Sequence, residues 1–181
     1  GDASGVDFTE PGFTIRTTFR YDGDGPIWSK GGEQYSLGVW GGELSFWMLG
    51  GGDWPGVGGG DLTQGRWYTT TLVVDDSEIR LYVDGQQVGS TTHQFAEFDS
   101  VDSPLHLGYD AGNDDYGAPT IDQFRAFDTA LSAERIQQGF ESVPNSAVAW
   151  LPLNTVSEGT TPDKSGAGND GTLRGAASLV P

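Results

Sequence analysis

The chain has 181 residues, no cysteine, and 26 Asp and Glu against 9 Lys and Arg, for a formal net charge of −17. That length suits one β-sandwich with a real buried core, and the missing thiols exclude a disulfide framework and cysteine chemistry. The charge repels nucleic acid and anionic membranes, and no apolar run approaches the ~20 residues of a spanning helix, so neither nucleic-acid binding nor membrane insertion is expected.

Lysine is nearly absent, only Lys30 and Lys164 occurring, and aspartate outnumbers glutamate. Two explanations stay open. One is adaptation to molar salt, where the Debye length shrinks to about 3 Å and self-repulsion fades; the depletion of lysine along the whole chain favours it. The other is an ordinary acidic secreted module with several calcium sites. No signal peptide is visible, and the expectation is that any such segment lies outside this sequence.

Short strands with turn residues between them are predicted at Phe13–Tyr21, Ile27–Lys30, Tyr35–Trp40 and Glu43–Leu49. In the third and fourth, Leu37 and Val39 alternate with Ser36 and Trp40, and Leu44 and Phe46 with Glu43, Ser45 and Trp47. Gly41-Gly42 between them fits a tight hairpin turn. If the aliphatic and phenyl side chains face the core, Trp40, Glu43 and Trp47 emerge on the opposite face, with Trp40 opposite Glu43 and Trp47 opposite Ser36. An indole beside a carboxylate suits a sugar, whose C–H face stacks on the ring while its hydroxyls donate to the carboxylate. The competing reading buries both tryptophans as ordinary core.

Leu49 to Gly60 contains seven glycines. Ordering them costs entropy, so the run is expected to be an adaptable flap carrying Trp54 over the same face, or a plain exposed connection. It lacks the Gly-Lys-Ser/Thr ending of a phosphate loop.

Further strands are predicted at Trp67–Val74, Glu78–Val83 and Gln87–Thr91. In the second, Ile79, Leu81 and Val83 alternate with Glu78, Arg80 and Tyr82, and Asp84-Gly85 supplies the positive-φ pair of a two-residue turn. Leu105–Tyr109 follows, with His106 expected to face solvent. Then come Thr120–Phe127, a helix over Ala133–Gly139 with Ser132 as N-cap, and Val148–Leu153. The strand Gly65-Arg-Trp-Tyr, the run Leu81-Tyr-Val-Asp-Gly85, and Thr120-Ile-Asp followed by a short helix come in the order and spacing of a known family. Over about residues 12 to 140 the chain resembles the laminin-G-like jelly roll of the concanavalin A-like lectin and glucanase superfamily. The resemblance implies an all-β antiparallel sandwich with one short helix near 132–140, and an extracellular setting, secreted or on a cell surface.

It also implies a structural calcium. In the family the ion is held by the Asp of the Ile-Asp strand, matched by Asp122, and by an Asp-x-Ser-Gly…Asn segment, matched by Asp163 and Asn169. Calcium takes six to eight oxygens. The acidic loops Asp22–Gly25 and Asp110–Asp115 are further oxygen-rich turns. For all of these groups, hydrogen bonding to nearby backbone N–H is the alternative.

That second segment resembles the opening of a laminin-G-like domain, yet here it comes last. Residues 145–175 are expected to fold back as an edge strand of the same sandwich, the alternative being the start of a following repeat. Enzymes of the superfamily carry paired carboxylates on one strand, and Glu43 lacks such a partner where Ser45 and Trp47 stand, so catalysis is not expected. The function predicted is non-catalytic polysaccharide binding within a larger multidomain protein. The rivals are an adhesion or spacer module without sugar binding, and a polysaccharide hydrolase or lyase.

Overall fold

The computed structural model describes residues 6–31, 34–50, 52–99, 103–139 and 146–179. In chain order the strands are β1 (Phe13–Arg20), β2 (Gly25–Lys30), β3 (Tyr35–Trp40), β4 (Glu43–Met48), β5 (Gly56–Asp61), β6 (Trp67–Val74), β7 (Glu78–Val83) and β8 (Gln86–Thr92). They continue with β9 (Leu105–Leu107), β10 (Tyr109–Asp110), β11 (Asp115–Tyr116) and β12 (Thr120–Phe127). After α1 (Ala133–Gln137) come β13 (Ala147–Leu151), β14 (Thr160–Thr161) and β15 (Gly171–Thr172).

Alternation decides the layers. One antiparallel sheet has the order β13-β12-β1-β6-β7-β8 and the other β5-β4-β3-β2-β9. Phe13, Ile15, Leu72, Ile79, Leu81 and Phe124 of the first pack with Leu37, Val39, Leu44, Phe46, Met48 and Trp28 of the second in one core, each at most 1% exposed. Burial at about 25 cal/mol per Å² of apolar surface makes this interior the main source of stability. A smaller cluster of Val73, Tyr82, Phe127, Leu131 and Ile136 lies on the far side of the six-stranded sheet. Helix α1 contributes Ile136 to it, and the Ser132 hydroxyl caps that helix by accepting from the Arg135 N–H at 3.3 Å.

Both expected hairpin turns use left-handed backbone, at Gly41 and Gly42 (φ 62° and 83°) and at Asp84 and Gly85 (φ 49° and 81°). These values match the twist of the flanking strands.

The glycine-rich run departs from expectation. Gly56–Asp61 is a strand hydrogen-bonded along β4, so only a short turn, whose Gly51 lies outside the described residues, separates β4 from β5. The glycines are explained by what lies beneath them. A Cβ on Gly59 would stand 2.5 Å from the Val88 carbonyl oxygen, and one on Gly89 would stand 2.5 Å from the Gly58 oxygen. β5 and β8, outer strands of opposite sheets, thus close one side of the sandwich by backbone-to-backbone approach.

At the other side, β13 pairs antiparallel with β12, and its outer edge is covered. The Lys164 N–H donates to the Trp150 carbonyl at 2.8 Å, the Trp150 N–H to Asp163 Oδ1 at 2.8 Å, and Asn169 Nδ2 to the Val148 carbonyl at 2.6 Å. A loop bonded along an edge removes the template for pairing with another chain. Residue 145, where the fold-back was expected to begin, lies outside the described residues.

Candidate functional site

The outer face of the five-stranded sheet carries the aromatic groups. Register places Trp40 opposite Glu43 and Trp47 opposite Ser36, with Glu43 in turn opposite Asp61 on β5. The Trp40 and Trp47 rings are 4.7 Å apart between centroids and inclined by 49°. Trp40 is 37% exposed, Trp47 is half-buried, and neither lies in the core. Glu43 is exposed beside them.

Small residues make this possible. A Cβ on Gly38 would fall 2.1 Å from Cη2 of Trp40, so the indole lies along the sheet over a position where only hydrogen fits. Ser36, Ser45, Gly56 and Gly58 share the rows around it. The result is a shallow polar floor with two indoles standing on it.

A second aromatic pair borders the floor. The β10–β11 hairpin folds over β2, where the Ser29 hydroxyl donates to the Tyr109 carbonyl at 2.8 Å, and a Cβ on Gly117 would stand 2.1 Å from the Pro26 carbonyl oxygen. Tyr109 and Tyr116 face each other at 4.5 Å, and Tyr116 is the most exposed large aromatic among the described residues, at 71%. The Tyr109 hydroxyl donates to Asp114 at 3.0 Å, which pushes the phenol's pKa above its ordinary value. The predicted Leu105–Tyr109 strand breaks at Gly108 (φ 73°), which turns the chain into this hairpin. His106 consequently does not face open solvent: its ring meets Tyr109 edge-on at 5.2 Å, and partial burial lowers its pKa. Sequence reading missed the tyrosines because nothing local to residues 109–116 says which strand the hairpin will cover.

Trp54 stands apart. It occupies the β4–β5 turn, 52% exposed, next to Pro55, whose carbonyl accepts from the Met48 N–H at 3.3 Å. It is therefore near the Trp47 end of β4, but among the described residues no ring contact joins it to the indole pair. The short turn, rather than a long flap, limits its reach.

The three calcium candidates do not make a fitting donor set. Both Asp163 oxygens already receive donors: the N–H groups of Trp150 and Ser165 at 2.8 Å, the Ser165 hydroxyl at 2.7 Å and the Asn169 N–H at 3.0 Å. Positive ends of dipoles point where a cation would sit. Burial alone would raise the Asp163 pKa, but these bonds hold it below the ordinary carboxylate value. Asn169 is oriented by its Nδ2, which donates to the Val148 carbonyl and leaves Oδ1 as the oxygen it could offer a cation, while Asp122 is exposed and accepts from the Gln123 side chain at 3.3 Å. Among the described residues no group of three or more His, Asp or Glu stands close enough to hold a metal.

The acidic turns are likewise bonded internally. Asp24 accepts from the Tyr21 hydroxyl at 2.8 Å and from the Gly41 N–H at 2.7 Å, pinning the turn that follows Trp40. Asp22 pairs with Arg20 at 2.8 Å, and Asp110 accepts from the Gly112 N–H at 2.9 Å.

The pattern of the concanavalin A-like lectin/glucanases superfamily matches residues 2–137. The chain belongs to that superfamily. No curated protein matches the sequence. Among solved structures, a candidate carbohydrate binding protein from Bacteroides ovatus superposes with a TM-score of 0.74 at 18% identity, over 91% of this chain and 52% of its own. The binding domain of Paraclostridial Mosquitocidal Protein 1 gives 0.60 at 15% identity, over 74% of this chain and 38% of its own. The receptor binding domain of a botulinum neurotoxin mosaic serotype C/D gives 0.56 at 13% identity, over 71% and 36%. This superfamily member thus spans about half, or less, of each of these three proteins. At such identities the likeness shows the fold alone. Among the described residues no helix is long and apolar enough to cross a membrane.

Proposed function

We propose that this chain is a non-catalytic carbohydrate-binding module of a secreted or surface protein, and that it holds polysaccharide on the outer face of the five-stranded sheet. The observation that carries the reading is the Trp40–Trp47 pair lying over Gly38 on a serine and glycine floor. Exposed indoles are costly to leave in water unless something covers them, and a pyranose face is flat enough to do so. In this reading Trp40 and Trp47 stack, Glu43 accepts hydroxyl donors, Tyr116 extends the contact, and Trp54 is an outlying contact at the rim. The names of the structural neighbours, carbohydrate binding and receptor binding, lend support.

The corner around Asp163 is held in this reading by hydrogen bonds rather than by calcium. Each stacked ring contributes about 1 kcal/mol beyond area burial, so one module binds weakly and affinity is built by several modules on one chain.

The test is a polysaccharide screen followed by titration of the best binder against Trp40→Ala and Trp47→Ala. Each variant is expected to weaken binding roughly fivefold while melting at nearly the parent temperature. Unchanged binding by both variants would sink the reading and leave an adhesion or spacer module. Glu43 and Asp61 do face each other across β4 and β5, which keeps a hydrolase as the rival. Release of reducing ends from the bound polysaccharide would favour that rival.

A further inference from the structure

The charge around the indole pair restricts which sugars can lie there. Glu43 and Asp61 face each other at the Trp40 end of the sheet, both exposed. Asp24 reaches the Gly41 N–H directly after Trp40. Asp114 and Asp115, exposed on the β10–β11 hairpin, stand at the opposite border. Against these, residues 21–65 and 103–119, which build the whole five-stranded sheet and its hairpin, contain a single Lys or Arg, Lys30.

Lys30 is not available to a ligand. It is 0% exposed, its Nζ donates to the Ser103 carbonyl at 2.6 Å, and it stands 3.6 Å from Asp7. Arg20, just before this region, is paired with Asp22 at 2.8 Å. His106 is half-buried under Tyr109, and burial holds its pKa down, so it adds little positive charge near neutral pH. Arg66, just past the Asp61 turn, is exposed but lies over the Tyr68 ring at 5.4 Å, so among the described residues of the face itself an anionic sugar would meet two flanks of carboxylate and no accessible cation.

We infer that the face takes polysaccharides free of carboxylate and sulfate groups, and that a protonated amino group on the sugar strengthens binding through Glu43 and Asp61. The inference rests on the glycan reading above and goes further by naming the chemical class. A pair of unit charges about 4 Å apart in water corresponds to roughly a fivefold change in affinity, and the effect should shrink as salt rises.

The experiment uses short oligosaccharides, because a long polycation would attract so acidic a protein without any site. Three backbones, a β-glucan, an α-glucan and a mannan, are each prepared as neutral, 6-amino and C6-oxidised oligomers. Binding to the whole chain is read by tryptophan emission at pH about 6, at low and at high salt. At least one neutral oligomer should bind, its amino form about fivefold tighter at low salt, and its oxidised form several-fold weaker. Glu43→Gln combined with Asp61→Asn should bring the amino-to-neutral ratio towards one, and Trp47→Ala should weaken all forms that bind.

An oxidised oligomer binding as well as its neutral parent would overturn the inference while leaving the glycan reading standing. So would an amino preference that survives the double carboxylate replacement, or binding of the amino form that Trp47→Ala leaves unweakened, since the attraction would then be non-specific. If no oligomer of any charge binds and polysaccharides also fail in the screen, the glycan reading itself falls and takes this inference with it.

Discussion

Asp163 accepts from Trp150, from Asn169 and twice from Ser165, and so fastens the 163–169 loop along the outer edge of β13. Replacing it with asparagine removes one acceptor oxygen and points an NH₂ group at donors. Asp163→Asn is expected to cost about 2 kcal/mol, the penalty of unmaking charge-assisted bonds in a partly buried place. The pH dependence follows from the lowered pKa. An unfolded aspartate titrates near 4, and a folded one held below that value stabilises the protein fully at higher pH. The contribution is lost as pH falls from about 4 through the lowered folded value. Urea midpoints of parent and variant should therefore differ at pH 7 and converge at strongly acidic pH, with excess chelator leaving both unmoved. A chelator-induced drop in the parent would restore a structural ion. The sequence showed the Asp-x-Ser-Gly…Asn pattern at 163–169 plainly, but not its use. Whether a carboxylate collects N–H groups or a cation depends on where backbone dipoles point, and that is decided by tertiary placement. Trp40, Glu43 and Trp47 were more legible, because strand parity alone puts them on one face once Leu37 and Leu44 are buried.

Strands that alternate announced themselves. Glu78–Val83 was read with the bounds observed, since burying one face imposes a period of two on the side chains. Thr120–Phe127 was too, but from its likeness to the family's Ile-Asp strand, for its last four residues are all buried. β5 gave no such signal. Glycine has no side chain to mark a face, so Gly56–Asp61 reads as a loop until β8 is placed beneath it. The tyrosine hairpin was missed for a related reason, its position over β2 being a long-range consequence of the turn at Gly108. The β5–β8 seam makes a sharp prediction. Gly89 has an ordinary backbone conformation, yet its Cβ would come within 2.5 Å of the Gly58 oxygen and 2.8 Å of Val57 Cγ2. Gly89→Ala must therefore push two backbones apart, at a cost of about 1–3 kcal/mol. For a chain of this size that corresponds to a fall of several degrees in melting temperature. An unchanged melting curve would mean that β5 does not rest on β8 as described, and the glycines would need another explanation.

At the scale of the whole molecule, charge sets the remaining question. With 26 acidic and 9 basic side chains, at least 17 of the acids (26 − 9) lack a basic partner of their own. Some basic charge is spent locally, Arg80 pairing with Asp75 at 2.8 Å and lying 3.7 Å from Glu78, and Arg20 with Asp22. The excess acids then repel one another across the surface, and the compact state suffers more than an expanded chain because it holds them closer. Raising ionic strength from 0.1 M to 1 M shortens the Debye length from about 10 Å to about 3 Å, which removes most of that repulsion. The melting temperature is expected to climb steeply in KCl, by more than about 5 °C between 0.1 and 2 M. If screening is the cause, most of the rise should come before 1 M, and NaCl should act like KCl. A rise that continues with the same slope beyond 1 M, and is larger in sulfate, would instead reflect strengthened apolar burial. A flat profile in both chlorides would show that the acids are spaced widely enough to tolerate one another in dilute buffer. Salt adaptation would then be the wrong explanation for the missing lysines.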